Sequence, residues 1–288
     1  DGVVLQSIGG GGGVARLRGS QGGSGIEISL GDQSAGGTDY AANGGPVTWD
    51  APAAFVTHGD RAVGLVAQSI GGGGGIAATG DAEDIARITL GGGVGDAAAV
   101  TVTLQPRDGC DAAGDPCNLT TGEGAHGIVA QSIGGGGGLL GDVTLTGGVE
   151  LVYATGGARG DATRFDGVAG GHGAASNVVV TLGSSLATRG DGAYGVIGQS
   201  LGGGGGLAGW EGGVQAGRSG VPDGRNRAGQ VTVVVEAPLS ATGRDSAAIF
   251  AQSLSDDFDG EKIEIDISAP VVGGRGDHGV GVLAHGGN

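Results

Sequence analysis

The segment 198–202, Gly-Gln-Ser-Leu-Gly, matches the Gly-x-Ser-x-Gly pattern that surrounds the nucleophilic serine of many hydrolases. Two histidines, His278 and His285, follow it in the order that an α/β-hydrolase would need. That pattern works at a strand-to-helix turn, and no helical periodicity follows Ser200. The same serine recurs in earlier copies of the segment, at Ser7, Ser69 and Ser132. We therefore interpret Ser200 as a repeat position, and we expect no enzyme activity.

Runs of five glycines suggest a phosphate-binding loop at first sight. They lie at 9–13, 71–75, 134–138 and 202–206. A P-loop needs a lysine and then a serine or threonine after its last glycine, whereas valine, isoleucine or leucine follows here. The sequence therefore predicts no nucleotide cofactor, and nothing else in it indicates another cofactor.

Calcium is a more serious hypothesis, because carboxylates cluster near the end of the chain and calcium prefers hard oxygen ligands. The segment 273–277 also approaches the calcium-binding repeat Gly-Gly-x-Gly-x-Asp, but its aspartate comes one position early. The candidate ligands are Asp256, Asp257, Asp259, Glu261 and Asp277. Solvated surface carboxylates are the alternative that we favour. The five histidines are scattered without a His-x-x-x-His pair, so we expect exposed side chains and no transition-metal site.

A repeated segment, Gln-Ser-(Ile/Leu) followed by glycines, organises the whole chain. Its copies lie at Gln6 and Ser7, Gln68 and Ser69, Gln131 and Ser132, and Gln199 and Ser200, with a degenerate copy at Gln252 and Ser253 and a remnant at His285. The glutamines are separated by 62, 63, 68 and 53 residues. A period of this size is typical of stacked structural units.

A similar lead-in, Thr-x-Gly-Asp-x-Ala-x-Gly and a short apolar run, precedes each clear copy from the second onward. These lead-ins begin at Thr57, Thr121 and Thr188. We predict one repetitive segment over 1–288, with units at roughly 1–56, 57–120, 121–187, 188–241 and 242–288. Because the chain opens and stops inside a unit, we expect a segment truncated at both ends.

The stretches between the glycine runs alternate apolar and polar residues, as in 99–104, 177–182 and 262–267. Such alternation is typical of strands with one solvated face, and helical spacing is missing. Short strands and a long repeat predict an all-β fold, a parallel β-helix or β-solenoid, with an antiparallel sandwich as the alternative. A coil of roughly 20 residues would give about three coils per unit, and some 14 coils a rod of roughly 65 Å.

The glycine runs need a physical explanation, because each glycine costs about 1 kcal/mol of backbone entropy relative to alanine. They are either flexible surface loops or extended backbone packed so closely on neighbouring coils that only hydrogen fits. Their nearly constant length favours close packing, since free loops tolerate changes in length.

Composition limits the partners of this protein. The 288 residues include 73 glycines and 3% aromatic residues, so the interior must consist of small aliphatic side chains. The net charge of −16 opposes binding to nucleic acids and to anionic membrane surfaces. We expect neither partner.

The two cysteines, Cys110 and Cys117, enclose a tight loop and favour a disulfide bond, with free thiols or a metal site as alternatives. A bond of this kind would fit an oxidising, exported setting and would pin a surface loop.

The repeated Gln-Ser-(Ile/Leu)-Gly-Gly-Gly-Gly-Gly and its lead-in resemble repeats in the passenger regions of large bacterial autotransporters. The copies at 57–75, 121–138 and 188–206 carry the resemblance. It implies a right-handed β-helix that is exported to the bacterial cell surface, with a C-terminal outer-membrane β-barrel as its partner in the full-length protein. We see no such barrel in this sequence. The family also implies adhesion or surface display, and no catalytic residues are transferred.

We therefore expect a structural or adhesive module of an extracellular surface protein, which contacts glycans or proteins of a host or neighbouring cell. A polysaccharide-degrading β-helix enzyme is one alternative. A solenoid that associates with itself into filaments is another, because an open end coil presents unpaired backbone.

Overall fold

The computed structural model describes residues 1–16, 26–30, 42–80, 85–90, 93–109, 116–143, 150–151, 171–210, 213–218, 224–255 and 258–287. Across these residues the protein is all-β and has no helix. This part of the chain accordingly contains no helix that is long and apolar enough to cross a membrane. The all-β prediction is confirmed.

The chain passes through its strands in a cycle, which we call a coil. Coil 1 has β1 (Val3–Ile8), β2 (Gly12–Arg16), β3 (Ile26–Leu30), β4 (Val47–Pro52) and β5 (Val56–Thr57). Coil 2 has β6 (Leu65–Ile70), β7 (Gly74–Gly80), β8 (Ile85–Leu90), β9 (Val100–Gln105) and β10 (Asn118–Thr120). Coil 3 has β11 (Ile128–Ile133), β12 (Gly137–Val143), β13 (Glu150–Leu151), β14 (Val178–Leu182) and β15 (Leu186–Thr188).

The last coils are shorter. Coil 4 has β16 (Val196–Leu201), β17 (Gly205–Trp210), β18 (Gly213–Arg218), β19 (Val231–Val235) and β20 (Leu239–Ala241). Coil 5 has β21 (Ala247–Leu254), β22 (Ile263–Ile267) and β23 (Val271–Val272), and β24 (Val280–Gly287) follows it.

Equivalent strands of successive coils stack into five sheets. Sheet A is β1-β6-β11-β16-β21-β24, sheet B is β2-β7-β12-β17-β18, sheet C is β3-β8-β13, sheet D is β4-β9-β14-β19-β22, and sheet E is β5-β10-β15-β20-β23. Sheets A, C, D and E are parallel, and sheet B is parallel except for the β17–β18 pair. Parallel stacking of this kind is solenoid-like. An antiparallel sandwich would instead pair consecutive strands through hairpins.

The predicted three coils per repeat unit are wrong, because each unit makes one coil. Val3 pairs with Leu65 and Leu65 pairs with Ile128, so a strand of sheet A meets its neighbour one full repeat later. The number of residues between consecutive repeat glutamines is therefore the number of residues in one coil. Six strands at about 4.8 Å span roughly 24 Å, well short of the 65 Å expected.

The extra length of a coil lies in an excursion through sheets B and C. Between Gln252 and His285 the chain goes directly from sheet A to sheet D, and the coil needs 33 residues. The coils that visit sheet B need 53 to 68 residues. Sheets A, D and E therefore form the closed part of each coil, to which the excursion is added.

The middle strands of sheet A are buried on both faces. Leu65 and Ala67 face a core shared with sheets D and E, whereas Val66 packs in a second core with Ile76 of sheet B. All six residues of β6, β11 and β16 are buried. A strand covered on both faces has a continuous apolar sequence, which explains why the residues around Ala67 show no alternation. Sheet D keeps one wet face and alternates, as predicted.

The glycine runs form the corner between sheets A and B, and there they stack on one another. A Cβ atom on Gly137 would lie 1.9 Å from the carbonyl oxygen of Gly205, and one on Gly75 would lie 2.0 Å from that of Gly13. The φ angles of Gly74 and Gly75 are 131° and 134°, which L-residues rarely adopt. Of the two explanations, close packing between coils is the one that the structure supports.

Replacing Gly137 by alanine tests this packing against a matched glycine. Gly13 has nearly the same φ, 139° against 136°, but a Cβ atom there would meet nothing within 4 Å. We expect Gly13→Ala to cost about 1 kcal/mol through φ alone, and Gly137→Ala to cost about 1–3 kcal/mol more because the backbone of coil 4 must move. Urea unfolding measures both, and equal losses would show that the runs behave as free loops.

Candidate functional site

The repeat glutamines form one continuous column of side-chain hydrogen bonds along sheet A. The Nε2 group of each glutamine donates to the Oε1 atom of the glutamine in the next coil. The four distances are 2.7 Å for Gln6 to Gln68, 2.6 Å for Gln68 to Gln131, 2.6 Å for Gln131 to Gln199 and 2.8 Å for Gln199 to Gln252. His285 continues the column, with its Nδ1 atom 3.3 Å from the Nε2 atom of Gln252.

The glutamine column lies in the interior, so its hydrogen bonds replace water. Gln68, Gln131, Gln199 and Gln252 are fully buried. Gln199 Nε2 also lies 3.4 Å from the carbonyl oxygen of Gly206, which places the column beside the glycine corner. A buried amide without a partner costs about 1–3 kcal/mol, and a shift by one residue would remove every partner at once. The column therefore fixes the register of the coils.

The repeat serines join two neighbouring coils through the opposite face of sheet A. Ser200 Oγ donates to the carbonyl oxygen of Ser176 in coil 3 (2.8 Å) and accepts the N–H of Gly229 in coil 4 (2.7 Å). Ser69, Ser132 and Ser253 make the same pair of bonds. The strand β16 continues into the glycine corner and not into a helix, so this serine lacks the strand-to-helix turn of a nucleophile.

The lead-in forms the corner between sheets E and A, and each of its constant residues has a contact. Thr57 Oγ1 donates to the carbonyl oxygen of Ala62 inside the corner (2.6 Å). A Cβ atom on Gly122 would lie 2.1 Å from the Gly59 carbonyl oxygen, and Asp60 accepts the backbone N–H of Glu123 in the next corner (2.9 Å). Thr-x-Gly-Asp is thus a structural motif for stacking corners.

The assignment of Thr121 as the start of the third unit's lead-in is wrong by one residue. Thr120 pairs in register with Thr57 and with Thr188. Thr120 also donates to the carbonyl oxygen of Ala125, as Thr57 and Thr188 do to their corner alanines. Two adjacent threonines made the sequence ambiguous, and the register resolves it.

The expectation that all histidines are exposed is wrong for His126. Its side chain is 3% exposed and packs edge-on against Tyr194, with the ring centroids 5.6 Å apart. Its Nδ1 atom accepts the backbone N–H of Tyr194 at 3.0 Å. Burial lowers the pKa of His126 to about 4. His58, His278 and His285 are exposed.

The structure describes only some of the residues of the other sites that the sequence predicts. Asp256 and Asp257 lie outside the described residues, whereas Asp259, Glu261 and Asp277 are exposed there. Among the described residues no three His, Cys, Asp or Glu side chains are grouped as a metal site requires. The calcium hypothesis at Asp256 and Asp257 stays a prediction.

The predicted disulfide also stays a prediction, because Cys110 lies outside the described residues. Cys117 is buried next to β10, where its backbone N–H donates to Ser185 Oγ at 2.8 Å.

Comparison of the chain with protein-family models, with curated proteins and with solved structures gave no match. The proposed function of the chain therefore rests on the glutamine column and the other contacts between its coils.

Replacing Gln131 by glutamate keeps the shape of the side chain but removes the Nε2 donor to Gln199. An ionised carboxylate at this buried position would face the Gln199 Oε1 atom, so we expect a loss of about 3 kcal/mol or more at pH 7. The loss should shrink on acidification, because a protonated carboxyl can donate again. Denaturant unfolding at several pH values measures it.

The control is Gln230→Glu, since Gln230 is exposed at the start of β19. That change should stay within about 0.5 kcal/mol. If Gln131→Glu proved equally mild, the column would not determine the register.

Proposed function

We propose that this chain is a right-handed β-helical segment of an exported bacterial surface protein, similar to an autotransporter passenger, with a structural or adhesive role. One observation carries the proposal: the same Gln, Ser, Gly and Thr positions stack in register from coil to coil and satisfy each other's hydrogen bonds. Such a scaffold can be extended by adding coils, and its use comes from its length and its repeated surface.

The excursions through sheets B and C are the best candidates for the surface that meets a partner. Their length differs between coils and they are absent between β21 and β22, while sheets A and D keep the same register throughout. Insertions that project from one side of a repeat scaffold often carry the binding function. We propose glycans or proteins of a host or neighbouring cell as the partners.

The proposal includes the absence of catalysis. The repeat serine that most resembled a nucleophile uses its Oγ atom in two backbone hydrogen bonds, and its neighbour Gln199 belongs to the buried column. Neither side chain is free to act on a substrate. These contacts favour a scaffold over the polysaccharide-degrading alternative.

Binding and degradation can be measured on the same surfaces. We expect the purified protein to bind a subset of immobilised glycans or extracellular-matrix proteins and to release no reducing ends from polysaccharides. A deletion variant replaces residues 202–225 by the direct link that coil 5 uses between β21 and β22. A change in the binding of this variant would place the contact on the excursion of coil 4. Release of sugar at a steady rate, or no binding to any surface, would contradict the proposal.

A further inference from the structure

His126 is a buried hydrogen-bond acceptor at the contact between two E–A corners. Its backbone follows the regular pattern, since its carbonyl oxygen accepts the N–H of Gly64 (2.9 Å) and the Tyr194 carbonyl oxygen accepts the N–H of Gly127 (2.8 Å). Its side chain adds the bond from the Tyr194 N–H to Nδ1. The ring therefore joins the corner before β11 to the corner before β16.

The surroundings of this ring are apolar. In the equivalent position the other coils carry Asp1, Val63, Tyr194, Ala247 and Val280. Val63, Tyr194 and Ala247 belong to the core between sheets A and B, and the Asp1 carboxylate, two coils from His126, accepts the N–H of Val63. The Tyr194 ring lies between His126 and Phe250, with centroids 5.6 Å and 6.0 Å away. Burial is the cause of the lowered pKa of His126, and no carboxylate among the described residues contributes to it.

The ionisable groups of these corners have other contacts. Asp60 accepts the N–H of Glu123, and Asp191 accepts the N–H of Arg244. Arg61 lies 4.0 Å from the Glu123 carboxylate. Asp245, one corner further on, contacts His278 and acts on Tyr194, whose pKa is raised by burial first and by Asp245 second. Asp60, Asp191 and Glu123 thus contact backbone or side chains outside the cluster, whereas Asp245 acts on Tyr194, which packs against His126.

We propose that His126 is an acid-sensitive latch between the two corners, and that its protonation separates them. A proton on Nδ1 would turn the acceptor into a donor that faces the Tyr194 N–H. It would also place a positive charge in an apolar core, which is costly without a counter-charge. The corner must then open so that the imidazolium reaches water.

The direction of the pH effect follows from the pKa of about 4 in the folded protein and the ordinary value of 6.5 in the unfolded chain. Above pH 6.5 both states are neutral at His126 and the latch does not respond. Between 6.5 and 4 the unfolded or opened state binds the proton and the closed state does not, so stability falls with falling pH. The full difference corresponds to roughly a 300-fold change in the folding equilibrium constant.

Denaturant unfolding between pH 7.5 and 4 tests the latch with two variants and a control. His126→Val introduces the residue of the preceding corner, and His126→Asn keeps an acceptor oxygen. Both variants should be less stable than the natural protein at pH 7.5. On acidification their folding equilibrium constants should fall much less than that of the natural protein, because the additional decrease of up to roughly 300-fold comes from His126. His278→Gln, at an exposed histidine, should keep the full decrease. An unchanged decrease in both His126 variants would overturn the proposal.

A second measurement does not depend on whether the variants fold. Nitrogen NMR of the natural protein should show His126 as the Nε2–H tautomer, with titration near pH 4 and loss of protection of the Tyr194 amide in the same range. Titration near 6.5 with the Tyr194 amide still protected would refute the latch.

Discussion

The structure depends on one constraint: each coil must place its residues directly above the same residues of the coil before it. Parallel strands about 4.8 Å apart bring identical side chains into contact, so a residue type is acceptable only if it can bond to or pack against itself. Glutamine meets this requirement in the interior because its amide carries both a donor and an acceptor. Isoleucine and valine meet it by packing, and glycine by leaving room for the neighbouring carbonyl oxygen.

This constraint explains why the Gln-Ser-(Ile/Leu)-glycine motif recurs from coil to coil. Gln131 needs Gln68 and Gln199, Ser132 needs the backbone of two coils, and position 137 needs glycine because the carbonyl oxygen of Gly205 lies where a Cβ atom would be. Gln131 and Gly137 depend on contacts with neighbouring coils, and Ser132 joins the backbone of coil 2 to that of its own coil. The same contacts make a single coil unstable and a stack cooperative, as expected for solenoids.

The sequence was sufficient to predict an all-β chain and the parallel stacking of its strands. It was not sufficient to predict the length of a coil, because a 62-residue unit divides equally well into three short coils or one long coil with an excursion. The sequence did contain one sign of the coil length: only 33 residues separate Gln252 from His285, which shows that 33 residues are enough to close a coil. His126 was misjudged because a single histidine in a turn-like segment gives no sign that the side of sheet A facing it is covered by sheet B.

The two kinds of segment differ in how freely they can change. In sheets D, E and A the strands pair in register with the coils on both sides, so an insertion must lie between strands, and more residues separate β9 from β10 than β14 from β15. The excursion begins at the glycine corner and ends before sheet D, and glycine and serine contacts hold its ends. The fold therefore combines sheets whose register is constant from coil to coil with an excursion whose length differs between coils.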